Sequence, residues 1–133
     1  MKIQITILLI AVAAIFAGCQ KTVVNETSEN TIKQISVAEA QTAVKSKDAQ
    51  FIDVRTGAEF DSGHASQTVN LPLDSLEKDL AKLDREKPVY VICQTGRRSQ
   101  KGAELLQKNG FKEIYNVEGG TTAWTNAGLP LNK

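Results

Sequence analysis

The chain has 133 residues, of which 41% are hydrophobic and 23% are charged, and this is the size and composition of one globular domain. It contains 16 Lys and Arg against 15 Asp and Glu, and Lys2 is the only charged residue among the first 18, so the remainder is neutral. Because phosphate binding requires a surplus of basic side chains, this balance excludes nucleic acid as a general partner.

The first 18 residues have the pattern of a secretory signal peptide. Lys2 supplies a positive charge, and residues 7–16 form an apolar stretch that is shorter than the roughly 20 residues of a membrane-spanning helix. The small residues Ala17 and Gly18 then precede Cys19, and this triplet resembles a bacterial lipobox. The resemblance implies export, cleavage before Cys19 and a lipid on its thiol. The alternative is an ordinary cleaved signal with a coincidental cysteine.

The segment after the signal is expected to be a flexible tether. Residues 19–31 are mostly polar and show no periodicity, so they cannot bury enough apolar area to offset the loss of chain entropy. We therefore expect three parts: a signal peptide over 1–18, a lipidated cysteine and tether over 19–31, and a folded domain over 32–133. The protein would be periplasmic or otherwise extracytoplasmic, and would contact the membrane only through the lipid on Cys19.

The folded domain opens with a predicted helix. Ser36 and Glu39 have the spacing of a capping box, in which each side chain bonds the backbone amide of the other residue. The apolar residues that follow fall on one helical face. These are Val37, Ala40 and Val44.

Two strands and a second helix are predicted next. A buried strand covers residues 51–54, and a weaker strand over 69–71 is ended by Pro72. Residues 74–77 repeat the capping-box spacing and predict a helix start. The apolar face of this helix carries Leu76, Leu80 and Leu83.

The second half of the domain repeats the alternation of strand and helix. Strands are predicted over 89–92 and 113–117, with a helix from Arg98 to Asn109 between them. Gly110 can close that helix in the left-handed conformation, with Phe111 folded back on Leu106. A Gly119-Gly120 turn then leads into a short helix that carries Trp124 and ends at Gly128-Leu129-Pro130.

This order of elements predicts an α/β fold with a small parallel sheet flanked by helices on both faces. Parallel strands are joined by right-handed crossovers, and strands buried on both sides have continuous apolar runs such as residues 89–92. In such folds ligands bind beyond the carboxyl ends of the strands. Residue 93 and its successors are therefore in the expected place for chemistry.

Cys93 stands between the best predicted strand and a helix. The amides and partial positive charge of a helix N-terminus favour thiolate, as do the neighbouring Arg97 and Arg98, and comparable cysteines have pKa values of roughly 3.5–7.5. Gly96 allows the loop to turn its amides toward the sulfur. The alternative is a small buried core cysteine, and the loop alone does not decide between the two.

The residues from Cys93 to Ser99 resemble the Cys-x-x-Gly-x-Arg-Ser active loop of single-domain rhodanese-like sulfurtransferases. The resemblance extends in order along about a hundred residues, through the Asp-x-Arg strand that contains Asp53 and Arg55. Further matching segments are Glu59-Phe60, Gly63-His64, Asn70-Leu71-Pro72-Leu73, Gly110-Phe111, Val117-Glu118-Gly119-Gly120, Ala123-Trp124 and Ala127-Gly128-Leu129-Pro130. Residues 65–68 depart from the family, which usually has an Ile-Pro-Gly-Ala-like turn there.

The resemblance implies a rhodanese-like fold and thiosulfate sulfurtransferase activity through a persulfide on Cys93. A small anionic sulfur donor would give its outer sulfur to Cys93, and a thiol or cyanide acceptor would remove it. We expect no cofactor, and one histidine with one available cysteine provides no metal site. The residues expected to cradle substrate are Gln94, Thr95, Gly96, Arg97, Arg98 and Ser99.

Supporting residues are interpreted as structural. Asp53 and Arg55 match positions that brace the site in the family, and we favour a structural role for them. His64 belongs to a structural signature segment, so a Cys–His dyad is not expected, and Trp124 is interpreted as a core anchor.

Two other functions remain open. Cysteine phosphatases and arsenate reductases use similar loops, but their pattern places Arg six positions after the cysteine, where this chain has Ser99. A non-catalytic domain that carries persulfide or binds a partner protein would keep the same loop.

Overall fold

The structure, a computed structural model, describes residues 30–133. The predicted signal peptide, Cys19 and the tether up to residue 29 lie outside the described residues. Among residues 30–133, no helix has the length and hydropathy needed to span a bilayer. Cys93 is buried and forms no disulfide within residues 30–133.

A five-stranded parallel sheet forms the centre of the domain. The strands in chain order are β1 (Ile32–Ile35), β2 (Gln50–Asp53), β3 (His64–Ala65), β4 (Val69–Asn70), β5 (Val89–Ile92), β6 (Ile114–Val117) and β7 (Leu131–Asn132). The sheet order is β1-β6-β5-β2-β4, and every neighbouring pair is parallel. Strands β3 and β7 form a separate antiparallel pair. The predicted parallel sheet is confirmed.

In the described part of the chain, five helices connect the strands. They are α1 (Val37–Ala43), α2 (Gly57–Ser62), α3 (Leu76–Asp79), α4 (Arg97–Lys108) and α5 (Gly120–Asn126), and a 3-10 turn over Leu80–Lys82 continues α3. The predicted capping box of α1 is present, because Glu39 Oε2 accepts the Ser36 amide at 2.8 Å and Ser36 Oγ accepts the Glu39 amide at 3.3 Å.

Helix α4 ends as the sequence predicts. Gly110 has a left-handed φ of +82°, and its amide bonds the Gln107 carbonyl at 3.2 Å. The Phe111 amide reaches the Leu106 carbonyl at 3.2 Å, and both of those side chains are fully buried. This is the Schellman ending, with its accompanying apolar contact.

The start of α3 differs from the prediction of a capping box over residues 74–77. Ser75 precedes the helix, and its side chain caps no amide. The Lys78 amide, which a side chain at Ser75 would cap, instead donates to the Ser75 carbonyl at 2.9 Å. The tight turn therefore supplies the partner itself, and the α-helix gives way to the 3-10 turn after four residues.

The two faces of the sheet carry two apolar clusters, as period-2 alternation requires. Along β2 and β5, Ile52 and Val91 face α3 and α4, whereas Phe51 and Ile92 face α1 and α5. All four residues of β5 are buried. Helices thus cover both faces, as predicted, and the carboxyl end of β5 opens at the centre of one edge.

Candidate active site

Cys93 follows β5 directly and precedes α4, so it lies at the carboxyl edge of the sheet. Only 1% of the residue is exposed. Gly96 is the residue before α4 and has a left-handed φ of +95°. This conformation lets the chain reverse tightly between strand and helix and brings the start of α4 back over the sulfur.

Two neutral donors bond the Cys93 sulfur. The Gly96 amide lies 3.1 Å from Sγ, and the Ser99 hydroxyl lies 3.3 Å from it. Ser99 is fully buried in the first turn of α4, so its hydroxyl is held beside the sulfur by the helix. Of the six predicted loop residues, Gly96 and Ser99 are therefore the two that bond the sulfur directly.

The surroundings of Cys93 favour its ionised form. Burial by itself raises the pKa of the thiol. The hydrogen bond from the Ser99 side chain, followed by the nearby amides of Ser99, Thr95 and Gly96, outweighs burial and brings the pKa below its ordinary value of 9.0. A larger share of the sulfur is therefore thiolate than in a free cysteine.

The start of α5 holds the first two loop residues. The Thr121 amide donates to the Cys93 carbonyl at 2.8 Å, and the Thr122 amide donates to the Gln94 carbonyl at 3.1 Å. The Gln94 side chain accepts from the Thr121 hydroxyl and donates to that of Thr122, each at 3.1 Å. Gln94 is therefore anchored to α5, and its amide does not contact the sulfur.

Asn116 contacts the loop from β6, and the sequence reasoning missed it. Its Nδ2 donates to the Gly96 carbonyl at 3.2 Å, to Gln34 Oε1 at 2.8 Å and to Gln100 Oε1 at 3.3 Å. Asn116 is 4% exposed. The signal that could have found it is a polar residue inside an otherwise apolar strand.

Arg98 forms a two-bond ion pair with Glu59 of α2. The guanidinium donates to the two Glu59 oxygens at 2.8 and 2.7 Å. These hydrogen bonds are the main reason that the pKa of Glu59 falls to about 2, and they raise that of Arg98. The arginine expected to attract a donor thus has its charge matched by a carboxylate, although the Cys93 charge adds a smaller attraction.

A cationic cavity lies beside the loop. It has a volume of about 260 Å³ and is lined by Thr95, Arg97, Arg98 and Lys101. Within residues 30–133, neither Arg97 nor Lys101 takes part in an ion pair. Of the two arginines expected near the thiol, Arg97 is therefore the one whose charge is free to meet an anion.

A second cleft lies on another side of the loop. It has a volume of about 330 Å³, and its lining includes Arg55, Gln94, hydroxyl side chains of α5 and the α2–β3 turn. Cys93 lines neither cavity. A larger cavity of about 610 Å³, which includes Gln50 and Lys87, lies at the opposite, amino-terminal edge of the sheet and contains no loop residue.

Asp53 and Arg55 are joined to each other and not to the sulfur. Their closest ion-pair distance is 2.7 Å, both are buried, and Arg55 also donates to the Gly63 carbonyl at 2.8 Å. His64 stacks on Phe60 with ring centroids 3.7 Å apart. These contacts tie the end of β2 and the residues just after it to the end of α2.

Trp124 packs in the cluster on the α1 and α5 face and is 2% exposed, with its indole N–H donating to the Pro130 carbonyl at 3.0 Å. Among residues 30–133, no group of three or more His, Cys, Asp or Glu side chains is arranged to bind a metal ion. The chemistry that this site offers is that of a buried thiol whose hydrogen bonds favour ionisation.

Comparison with known proteins gives one consistent family. A family model described as a rhodanese-like domain matches residues 36–127. The thiosulfate sulfurtransferase GlpE of Shewanella oneidensis is 32% identical over 98 residues, which cover 74% of this chain and 97% of that protein. The uncharacterized protein YqhL of Bacillus subtilis is 45% identical over 76 residues, 57% of this chain and 60% of its own length.

Solved structures agree with the sequence relatives. A rhodanese-like domain protein from Staphylococcus aureus superposes with a TM-score of 0.67 at 33% identity, covering 77% of this chain and all of that one. The polysulfide-sulfur transferase homodimer of Wolinella succinogenes gives a TM-score of 0.65 at 35% identity, covering 79% of this chain and 81% of that one.

Proposed function

Because this chain belongs to the rhodanese-like domain family, we propose that it is a sulfurtransferase that works through a persulfide on Cys93. Relatives named thiosulfate sulfurtransferase, at 32 to 39% identity, support thiosulfate or a similar anion as the donor. Most of the domain is shared with them, since the match covers 97% of the Shewanella protein.

The observation that carries this proposal is the pair of donors on the Cys93 sulfur. The Gly96 amide and the Ser99 hydroxyl stabilise a negative sulfur and lower the pKa of the Cys93 thiol, which reduces the need for a general base. The same donors suit a persulfide, which also carries a negative charge.

The first step forms the persulfide. The Cys93 thiolate attacks the outer sulfur of thiosulfate, a new S–S bond forms, and the old S–S bond breaks with its electron pair leaving on sulfite. The charge is conserved, since a thiolate and a dianion become a persulfide anion and a dianion. Arg97 and Lys101, which line the cationic cavity beside the loop, would favour approach of the donor.

The second step returns the thiolate. A nucleophilic acceptor, cyanide in an assay or a thiol in the cell, attacks the terminal sulfur and takes it as thiocyanate or as a new persulfide. The S–S bond at Cys93 breaks, and its electron pair restores the thiolate. No cofactor or metal enters either step.

Substitution of Cys93 by serine tests the proposal. Cys93→Ser is expected to abolish thiosulfate:cyanide activity and to leave the far-UV circular dichroism spectrum and the melting temperature nearly unchanged. Cys19→Ser is the matched control and should keep full activity in detergent extract. Substantial turnover by Cys93→Ser would remove this residue from the mechanism.

Intact mass spectrometry and a second substrate separate the alternatives. A sulfurtransferase gains the mass of one sulfur atom on Cys93 after thiosulfate treatment and loses it on addition of cyanide. A persulfide carrier would be isolated with the extra sulfur but would turn over thiosulfate poorly. Hydrolysis of p-nitrophenyl phosphate in parallel would favour a phosphatase.

We also propose that the mature protein is a lipoprotein anchored through Cys19, on the periplasmic or extracytoplasmic side of a bacterial membrane. The support is the lipobox-like Ala17-Gly18-Cys19 after an apolar stretch. Growth with labelled palmitate should label the wild type and not Cys19→Ser. A mature N-terminal peptide with an unmodified Cys19 would contradict the anchor.

A further inference from the structure

Asn116 occupies a central position between the sheet and the active loop. It lies on β6, where it pairs in register with Val91 of β5 and Gln34 of β1. Val91 belongs to the cluster that packs against α4, and the Asn116 side chain reaches the start of the same helix. A 4% exposed amide in a four-residue strand that also holds Ile114 and Val117 is an unusual choice for packing alone.

The two ends of Gly96 link Asn116 to the sulfur. The Gly96 amide donates to Cys93 Sγ at 3.1 Å, while its carbonyl accepts from Asn116 Nδ2 at 3.2 Å and from the Gln100 amide at 3.2 Å. Gly96 has a left-handed φ and no side chain to restrict its backbone, so these contacts help to hold its conformation. We propose that Asn116 is a positioning residue, which holds the Gly96 carbonyl and thereby keeps the Gly96 N–H aimed at the Cys93 sulfur.

The orientation of the Asn116 amide is fixed by its neighbours. A carbonyl oxygen only accepts hydrogen bonds, so the group that faces the Gly96 carbonyl must be the NH₂ of Asn116. The Oδ1 atom is buried and has no partner within residues 30–133. The Asn116 side chain therefore leaves its Oδ1 without a hydrogen bond, while its Nδ2 contacts three acceptors.

Charged groups near the thiol do not contact Asn116. Arg97 and Arg98 lie on α4, Glu59 on α2 is paired with Arg98, and Asp53 at the end of β2 is paired with Arg55. Near the start of α5 the charged residue is Glu118, which is exposed. The three hydrogen-bond partners of Asn116 are all uncharged. A change in thiol ionisation on substitution of Asn116 therefore reports on the Gly96 amide.

Leucine at position 116 separates positioning from packing. Asn116→Leu keeps the number and branching of the side-chain heavy atoms, and it removes both the donor to Gly96 and the unpartnered Oδ1. The Gly96 carbonyl keeps the Gln100 amide, and the side chains of Gln34 and Gln100 are accessible to water. A purely structural role predicts equal or higher stability with an unchanged thiol, whereas positioning predicts equal or higher stability with a less reactive thiol.

The experiment measures alkylation of Cys93 in the full chain by iodoacetamide as a function of pH. For Asn116→Leu we expect the midpoint to move to higher pH, the rate at pH 7 to fall by about tenfold, and the plateau at high pH to stay the same. Gln34→Ala is the matched control, because it removes a bond to Asn116 without touching Gly96, and its profile should follow the wild type. An unchanged midpoint in folded Asn116→Leu overturns the proposal.

A second variant and a second assay complete the test. If Asn116→Leu does not fold, Asn116→Ser is measured instead, because the serine hydroxyl is too short to reach the Gly96 carbonyl. The expected shift of the alkylation midpoint is the same, and an unchanged midpoint again overturns the proposal. The proposal rests on the proposed role of Cys93, but alkylation needs no sulfur donor and is independent of sulfur transfer. In the thiosulfate assay kcat should fall with KM changed less than about twofold. A change in KM with an unchanged kcat would contradict the positioning role.

Discussion

At the scale of single residues, the Cys93 sulfur is stabilised mainly by neutral groups. Its hydrogen bonds come from the Gly96 amide and the Ser99 hydroxyl, whereas the guanidinium of Arg98 is paired with the Glu59 carboxylate. Buried hydrogen bonds are screened by salt far less than exposed charges are. The ionisation of the thiol should therefore depend little on ionic strength, whereas capture of an anionic donor by exposed Arg97 should depend on it strongly.

The Glu59 carboxylate both caps a helix and forms an ion pair. It closes the capping box of α2, accepting the Thr56 amide at 3.0 Å, and it binds Arg98 of α4 with both oxygens. Because Arg98 is in the first turn of α4, this pair ties α2 to the helix that carries the active loop. A comparable glutamate, Glu39 of α1, closes a capping box through Ser36 and has no basic partner in the described part of the chain.

The pair Glu59→Gln and Glu39→Gln tests the contribution of the ion pair. The Glu59 pKa is about 2 in the folded protein, against an ordinary value of 4.5, so its stabilisation is complete above about pH 4.5 and is lost as pH falls toward 2. With both side chains over one-third exposed, Glu59→Gln should cost about 1 kcal/mol at pH 7. The cost should fade toward pH 2.

Urea unfolding at pH 7, 4 and 2.5 measures this difference. Glu39→Gln keeps the cap geometry and removes no ion pair, so its loss at pH 7 should be the smaller of the two. Equal losses for both variants, or a Glu59→Gln cost that does not change with pH, would mean that Arg98 contributes nothing through Glu59.

The site could be predicted from sequence only where its residues are local. Cys93, Gly96 and Ser99 lie within seven consecutive positions, so a strand-to-helix junction was enough to place them. Asn116 and Glu59 reach the loop from 20 and 39 residues away, by the hydrogen bonds to Gly96 and Arg98. Such contacts depend on sheet order and helix packing, which a single sequence does not reveal.

At the scale of elements, the start of α5 fits tightly against the active loop. Gly120 has a φ of +57°, and a Cβ there would lie 2.3 Å from the Cys93 carbonyl oxygen and 2.6 Å from the Gln94 carbonyl carbon. Both atoms are backbone and cannot move without displacing the loop. Position 120 is therefore confined to glycine by the loop itself.

Gly120→Ala should disrupt both stability and activity. Left-handed backbone and overlap together are expected to cost about 3 kcal/mol, with loss of sulfur transfer because the Cys93 carbonyl must shift. Gly128→Ala is the control, since Gly128 also has a positive φ, of +72°, but nothing lies within 4 Å of its Cβ position. It should cost about 1 kcal/mol and keep activity. If Gly120→Ala and Gly128→Ala lost the same stability in urea unfolding and kept the same sulfurtransferase activity, the close contact of position 120 with the active loop would be unimportant.

Elements with a strong local signal were predicted, and so was the short edge strand β4, whereas β1, α2, β3 and β7 were not. Strand β5 and helix α4 have continuous or periodic apolar residues, and both are confirmed. Strand β1 has apolar residues only at its two ends and exists through pairing with β6. Helix α2 starts with Gly57 and has only six residues, although its capping box was present in the sequence.

At the scale of the whole domain, the sheet joins two apolar clusters into one cooperative unit. Strand β5 contributes Val89 and Val91 to one cluster and Tyr90 and Ile92 to the other. Because the two clusters share the same strands, disrupting the strands on one face would also expose the cluster on the other face. We therefore expect the domain to unfold in one transition.

A cavity in the apolar cluster on one face of the sheet should also destabilise the cluster on the other face. Leu106 of α4 is fully buried in the cluster opposite Trp124, the only tryptophan of the chain, so Trp124 fluorescence reports on the far face. Leu106→Ala is expected to cost 2–5 kcal/mol, and the Trp124 transition in urea should move to lower concentration together with the far-UV circular dichroism signal. Leu131→Ala, at a position that is 40% exposed, should shift neither by more than about 0.5 kcal/mol. If the fluorescence transition of Leu106→Ala stayed at its wild-type midpoint while the dichroism transition moved, the two faces would be independent, and the sheet would not couple them.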